Sequence, residues 1–143
     1  MALTGRTTVK PSDSSEWHIQ RAYMRLSAAR DLLNANKLED AYNRMYYACY
    51  EAAHAALSSV GVDAVRGHQG LGFVFGEKVV KPLGLPSEML RTFQRTLHSR
   101  VLADYKGIGT PSKEEVEEEF GQVAELVEGV RRACVSNFSP PDS

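Results

Sequence analysis

The stretch from Leu38 to Val60 constrains this chain more than any other. Ala48, Ala52, Ala53, Ala55 and Ala56 leave little side chain on part of its surface, and a helix this slim lets its neighbours approach closely. We read it as the central helix of a bundle. Gly61 follows where a left-handed C-terminal cap belongs.

The segments on either side also read as helices. Trp17, Ala22, Leu26, Ala29 and Leu33 recur at steps of three to five, which predicts a helix over 15–35. Asn34-Ala35-Asn36 marks the turn after it. Leu71, Phe73, Val74, Phe75, Val79 and Val80 fit a short helix over 68–80, although Gly67, Gly70 and Gly72 leave a glycine-rich loop as the competing reading of its start. Lys81-Pro82-Leu83-Gly84 ends that segment. A fourth helix is expected from about Pro86 to Lys106, before Gly107 and Gly109. Ser112 and Glu115 form a capping box for a fifth helix, which carries Val116, Phe120, Val123, Leu126, Val127 and Val130 on one side and ends near Asn137. The expected fold is all-α, an antiparallel bundle of four to five helices. Residues 15–137 form the domain, between flexible tails at 1–14 and 138–143.

A chain of 143 residues suits one domain, and a hydrophobic content of 43% can fill a core. With 17 Lys and Arg against 18 Asp and Glu, the net charge of -1 argues against coating nucleic acid through bulk charge and leaves room for a local basic patch. Cys49 and Cys134 lie far apart with no partner at zinc-finger spacing, so neither a disulfide scaffold nor a metal site is expected. Met1 to Trp17 is polar and lacks the apolar core of a signal peptide, and no apolar run approaches bilayer length. A cytoplasmic location without membrane attachment is the expectation. No phosphate-binding glycine loop, nucleophile elbow or zinc-protease motif occurs, and no cofactor is expected. His18, His54, His68 and His98 do not pair at helical metal-ligand spacing and read as ordinary histidines.

Two helices concentrate polar and aromatic groups. On the second, Arg44, Tyr47 and Glu51 share one face, and Tyr46, Tyr50 and His54 share another. On the fourth, Arg91, Arg95 and His98 share a face, and Arg100 and Asp104 are spaced to pair. Arginine forks suit phosphate, and arginines beside tyrosines suit nucleotides or single-stranded RNA. Tyrosines filling the core and a solvated helix face with a few ion pairs is the plainer alternative.

Taken in order, Ala41-x-x-Arg44-x-Tyr46-Tyr47-Ala48-x-x-x-Ala52-Ala53, Gly61, His68-Gln69-Gly70, Phe75 and Arg100-x-x-Ala103-Asp104-Tyr105 resemble the HEPN domain of prokaryotes over roughly residues 16–135. The resemblance implies a compact helical bundle that forms homodimers, often beside a minimal nucleotidyltransferase in toxin–antitoxin pairs or defence systems. It also implies metal-independent endoribonuclease chemistry. In that chemistry an arginine followed after four to six residues by a histidine stabilises charge and moves protons during attack of a ribose 2′-hydroxyl on phosphate. Arg100 matches the arginine, but the window after it ends on Tyr105 and holds no histidine. Tyrosine, with an ordinary pKa of about 10, is a poor base near neutrality. Arg91 and His98 form an Arg-x6-His pair about two turns too early. Three functional readings follow. In an endoribonuclease, Arg100 grips the scissile phosphate, Asp104 orients it, and Tyr105 or His98 handles protons. In a non-catalytic partner of a nucleotidyltransferase, Arg44, Tyr47, Glu51, Arg91 and Arg95 contact RNA or nucleotide, and Tyr105 is a candidate target of nucleotidylation. In a structural adaptor, Arg44, Arg100 and Asp104 are an internal polar network, and a buried Arg100–Asp104 pair tied to Tyr47 holds the second and fourth helices in register.

Overall fold

The computed structural model describes residues 14–62, 67–104 and 111–141. Five helices follow in order: α1 (Ser15–Asn34), α2 (Leu38–Ser59), α3 (His68–Phe75), α4 (Glu88–Ala103) and α5 (Lys113–Cys134). No strand occurs among the described residues.

Ser14 caps α1, its hydroxyl accepting a hydrogen bond from the Trp17 amide at 3.0 Å. Ile19, Ala22, Leu26, Ala29 and Leu33 turn inward. Trp17 is only half-buried, and Ile19 takes the core position at that end of the helix. Asn36 then adopts a left-handed φ of 62°, a conformation asparagine tolerates better than most residues. The three-residue turn folds α2 back against α1, and this is the most extensive helix pairing in the domain. All five alanines from Ala48 to Ala56 are fully buried, and α1, α3, α4 and α5 all rest on α2. Gly61 sits at φ 79°, beyond the end of α2.

The glycine-rich start of the third segment is helical. α3 runs straight into a π-helical turn, Gly76–Val80, so the rod expected over 68–80 exists with a widened last turn. Its glycines let it lie directly on α4. A Cβ on Gly72 would stand 3.1 Å from the Phe93 ring, and one on Gly76 would stand 2.9 Å from Leu90 Cδ2. α4 starts two residues later than Pro86, because Pro86 and Ser87 form the turn that precedes it and the Pro86 carbonyl accepts from the Met89 amide. The continuation of α4 toward Lys106, together with Gly107 and Gly109, lies outside the described residues.

The expected capping box is formed. The Glu115 amide donates to Ser112 Oγ at 3.2 Å, and the Ser112 amide donates to Glu115 Oε1 at 3.0 Å. Val116, Val123, Leu126, Val127 and Val130 of α5 are buried, while Phe120 stays half-buried beneath the Arg30 guanidinium, 4.3 Å from its ring. α5 ends at Cys134, short of Asn137. Beyond it Phe138 stacks on Tyr23, and its carbonyl accepts from Arg131. Glu128 takes hydrogen bonds from Arg131 and Tyr23, which hold its carboxyl down at about 2.

Because the capping box satisfies two amides that the helix leaves open, Ser112→Ala is expected to lower stability by about 1 kcal/mol. Urea denaturation would show this as a lower midpoint with an unchanged slope.

Candidate functional site

The tyrosines of α2 divide by depth. Tyr46 is fully buried, whereas Tyr47 and Tyr50 are half-exposed at the rim between α2 and α4. Into that rim α4 extends Arg100, whose guanidinium carbon lies 5.4 Å from the centre of the Tyr46 ring and 5.3 Å from that of Tyr47. This is cation–π distance. No ion pair joins Arg100 to Asp104 among the described residues, and Arg100 Nε is shielded from solvent without a hydrogen-bond partner. The Arg100–Asp104 pairing that the spacing allows is therefore not made: the tyrosine rings hold the guanidinium, and Asp104 stays exposed at the end of α4. The geometry leaves a cation on an aromatic ledge with its charge uncompensated by any carboxylate among the described residues.

The remaining residues singled out in the sequence are distributed around this ledge. Arg44 is exposed, one turn before Tyr47. Arg91, Arg95 and His98 are exposed on α4; Arg91 pairs with Glu88, and Arg95 donates to Gln122 Oε1 at 2.8 Å. At about 100° per residue, His98 points roughly 160° away from Arg100 around the helix. Tyr105 lies outside the described residues, as do the side chains of His68 and Gln69. Among the described residues, no group of three or more His, Cys, Asp or Glu is placed to hold a metal ion.

Glu51 is buried and faces α1 (6% exposed). His18 Nδ1 lies 2.8 Å from its Oε1, Arg21 Nε donates to its Oε2 at 3.3 Å, and an Arg25 terminal nitrogen stands 3.9 Å away. Burial alone would raise the Glu51 carboxyl, but the hydrogen bonds and charges of His18 and Arg21 outweigh it and hold the group below its ordinary value of 4.5. The His18 ring stacks on that of His54 at 5.3 Å, and Arg21 covers the ring of Trp17 at 4.7 Å. Burial, helped by His18, pushes His54 below its usual 6.5. Its Nε2 is shielded and has no hydrogen-bond partner among the described residues.

Reading the sequence one helix at a time missed this cluster. Its signal is a pair of matching ladders, His18, Arg21 and Arg25 on α1 against Tyr47, Glu51 and His54 on α2, with each step three or four residues.

Removing the Glu51 charge leaves two arginines of α1, one turn apart, without the carboxylate they share at a buried position. Glu51→Gln is expected to lower stability at pH 7 by about 2–3 kcal/mol in urea denaturation. A depressed folded-state pKa stabilises above the ordinary carboxylate value and ceases to as pH falls through the folded one. Wild type should therefore lose stability below pH 4.5 more steeply than the variant.

No helix among the described residues is long and apolar enough to cross a membrane. The family model described as the HEPN domain matches residues 15–133. A UPF0332 protein of Gloeobacter violaceus is 30% identical over 89 residues, which cover 62% of this chain and 70% of that protein. The matched span runs from the first turn of α1 to the last turn of α5 and takes in both the Tyr47–Arg100 ledge and the Glu51 cluster, so the chain belongs to the HEPN domain family.

Proposed function

We propose that this HEPN domain binds RNA or a nucleotide through the ledge formed by Arg100 and Tyr47, which the buried Tyr46 ring backs. The observation that carries the reading is the half-exposed Arg100, whose guanidinium lies on two tyrosine rings without an ion-pair carboxylate among the described residues. A phosphate completes such a site by accepting from the guanidinium fork, and a base stacks against the half-exposed Tyr47. Arg44, one turn along α2, adds positive charge at the same rim. The setting we propose is a toxin–antitoxin or defence system, with a nucleotidyltransferase as partner. Val101 and Leu102, exposed at the end of α4, offer apolar surface for a second copy of the chain in a homodimer.

Among the described residues, the arrangement within one chain favours binding over cleavage. Metal-independent cleavage needs a proton-transfer group beside the gripped phosphate. His98 faces away from Arg100, and Asp104 is a carboxylate at the solvent edge.

Fluorescence anisotropy with labelled single-stranded RNA tests the reading. Arg100→Ala and Tyr47→Ala are each expected to weaken binding about 5- to 150-fold, the equivalent of about 1–3 kcal/mol. Wild-type affinity in both variants would reject it. Incubation of the same RNA in chelator separates binding from catalysis: cutting by wild type that Arg100→Ala abolishes would establish an endoribonuclease.

A further inference from the structure

Arg25 gains little from the Glu51 cluster it belongs to. Its terminal nitrogen stands 3.9 Å from Glu51 Oε2, beyond hydrogen-bond reach, and its Nε is shielded from solvent with no partner. Arg25 makes no hydrogen bond among the described residues. A guanidinium carries five N–H donors, and a shielded donor left unpaired is costly. Arg21 is better placed but not filled. It donates to Glu51 from Nε alone, at 3.3 Å, and neither of its terminal nitrogens has an acceptor among the described residues.

The shortage lies in the carboxylate. His18 Nδ1 takes Glu51 Oε1 at 2.8 Å, so both arginines turn to Oε2. Two positive charges share one oxygen, and no other carboxylate pairs with either of them among the described residues. Convergence on one atom also sets the two guanidinium groups side by side, from positions about one turn apart on α1. Their side chains are 32% and 27% exposed, so the pair reaches solvent. A flat acceptor with two oxygens does not fill two forks, as Glu51 itself shows. A tetrahedral anion with three free oxygens can accept from both at once.

We infer that Arg21 and Arg25 form a binding site for a phosphate group with three free oxygens, as found in inorganic phosphate or in the terminal monoester of a nucleic acid. The phosphate bridges the two guanidinium forks at the solvent edge and accepts from the terminal nitrogens of both. Glu51 stays beneath, tied to His18, and keeps the two arginines together. The site shares no residue with the Arg100 ledge and does not rest on it.

Calorimetry on the whole chain, at constant ionic strength and with inorganic phosphate as the probe, tests the site. Wild type should bind phosphate and should not bind acetate at the same concentration. Arg25→Gln should keep its fold by circular dichroism and weaken phosphate binding about 10- to 100-fold. Arg25→Lys, which keeps the charge without the fork, should retain part of the affinity. Arg100→Ala should bind phosphate as wild type does. Trp17, the only tryptophan, has the Arg21 guanidinium 4.7 Å from its ring. Phosphate should therefore change its fluorescence in wild type, and acetate should not. Two RNA oligonucleotides that differ only in a 5′-phosphate separate the sources. Tighter binding of the phosphorylated one, lost in Arg25→Gln, assigns the site to a nucleic-acid end. Equal binding of both, with inorganic phosphate still bound, assigns it to the free anion. Absence of heat and of a Trp17 response at millimolar phosphate overturns the site, as does equal binding of acetate or wild-type phosphate affinity in Arg25→Gln. If the affinity is lost in Arg100→Ala instead, the anion sits on the ledge and only the ledge stands. Should Arg25→Gln not fold, the wild-type Trp17 response to phosphate against acetate decides.

Discussion

Ala48, Ala52, Ala53, Ala55 and Ala56 leave α2 so slim that α1, α3, α4 and α5 all lie against it. Interaxial distance is set by the side chains at the contact, and methyl groups set it short. Four neighbours around one helix bury nearly all of its circumference, and the bulky residues of α2 must then emerge where the neighbours part. Tyr47, Tyr50 and His54 emerge there, half-buried between α1 and α4. The candidate site is thus a by-product of close packing: the alanines bring α1 and α4 near enough for Arg21, Arg25 and Arg100 to reach rings and a carboxylate on the same helix.

Glu51 is the electrostatic counterpart of that packing. A lone carboxylate at this depth would be costly, and with cations on the facing helix it becomes a fixed negative point that orients His18 and Arg21. His54, desolvated and stacked on His18, has its pKa held below the ordinary histidine value. Cys49 is held inert by the same enclosure, with burial pushing its thiol up to about 12.

Much of this was legible from residues alone. The alanine run and Gly61 located α2 and its end, the Ser112–Glu115 pair located the start of α5, and the ordered motifs from Ala41 to Tyr105 pointed to the HEPN domain. Helix ends were less legible. Pro86 was expected inside the first turn of α4 and forms the turn before it, and the π-helical widening at Gly76–Val80 leaves no mark in apolar spacing. Side-chain partners across helices were the least legible. Arg100 and Asp104 sit at ion-pair spacing, yet the rings of α2 compete successfully for the guanidinium. Glu51 shares a face with Arg44 and Tyr47 by count, but that face is broad enough for its two edges to meet different neighbours.

The three-residue turn at Asn36 acts as a gauge for the whole α1–α2 hairpin. Counting outward from Asn36, His18 and His54 fall at equal distances along the chain, as do Arg21 and Glu51, and Arg25 and Tyr47. The cross-helix partners are mirror positions in the sequence, fixed once the fold-back point is fixed. Adding a single residue at the tip would rotate one ladder about a quarter of a turn against the other. Every residue would remain in its helix, and the imidazoles, the guanidinium and the carboxylate would no longer meet.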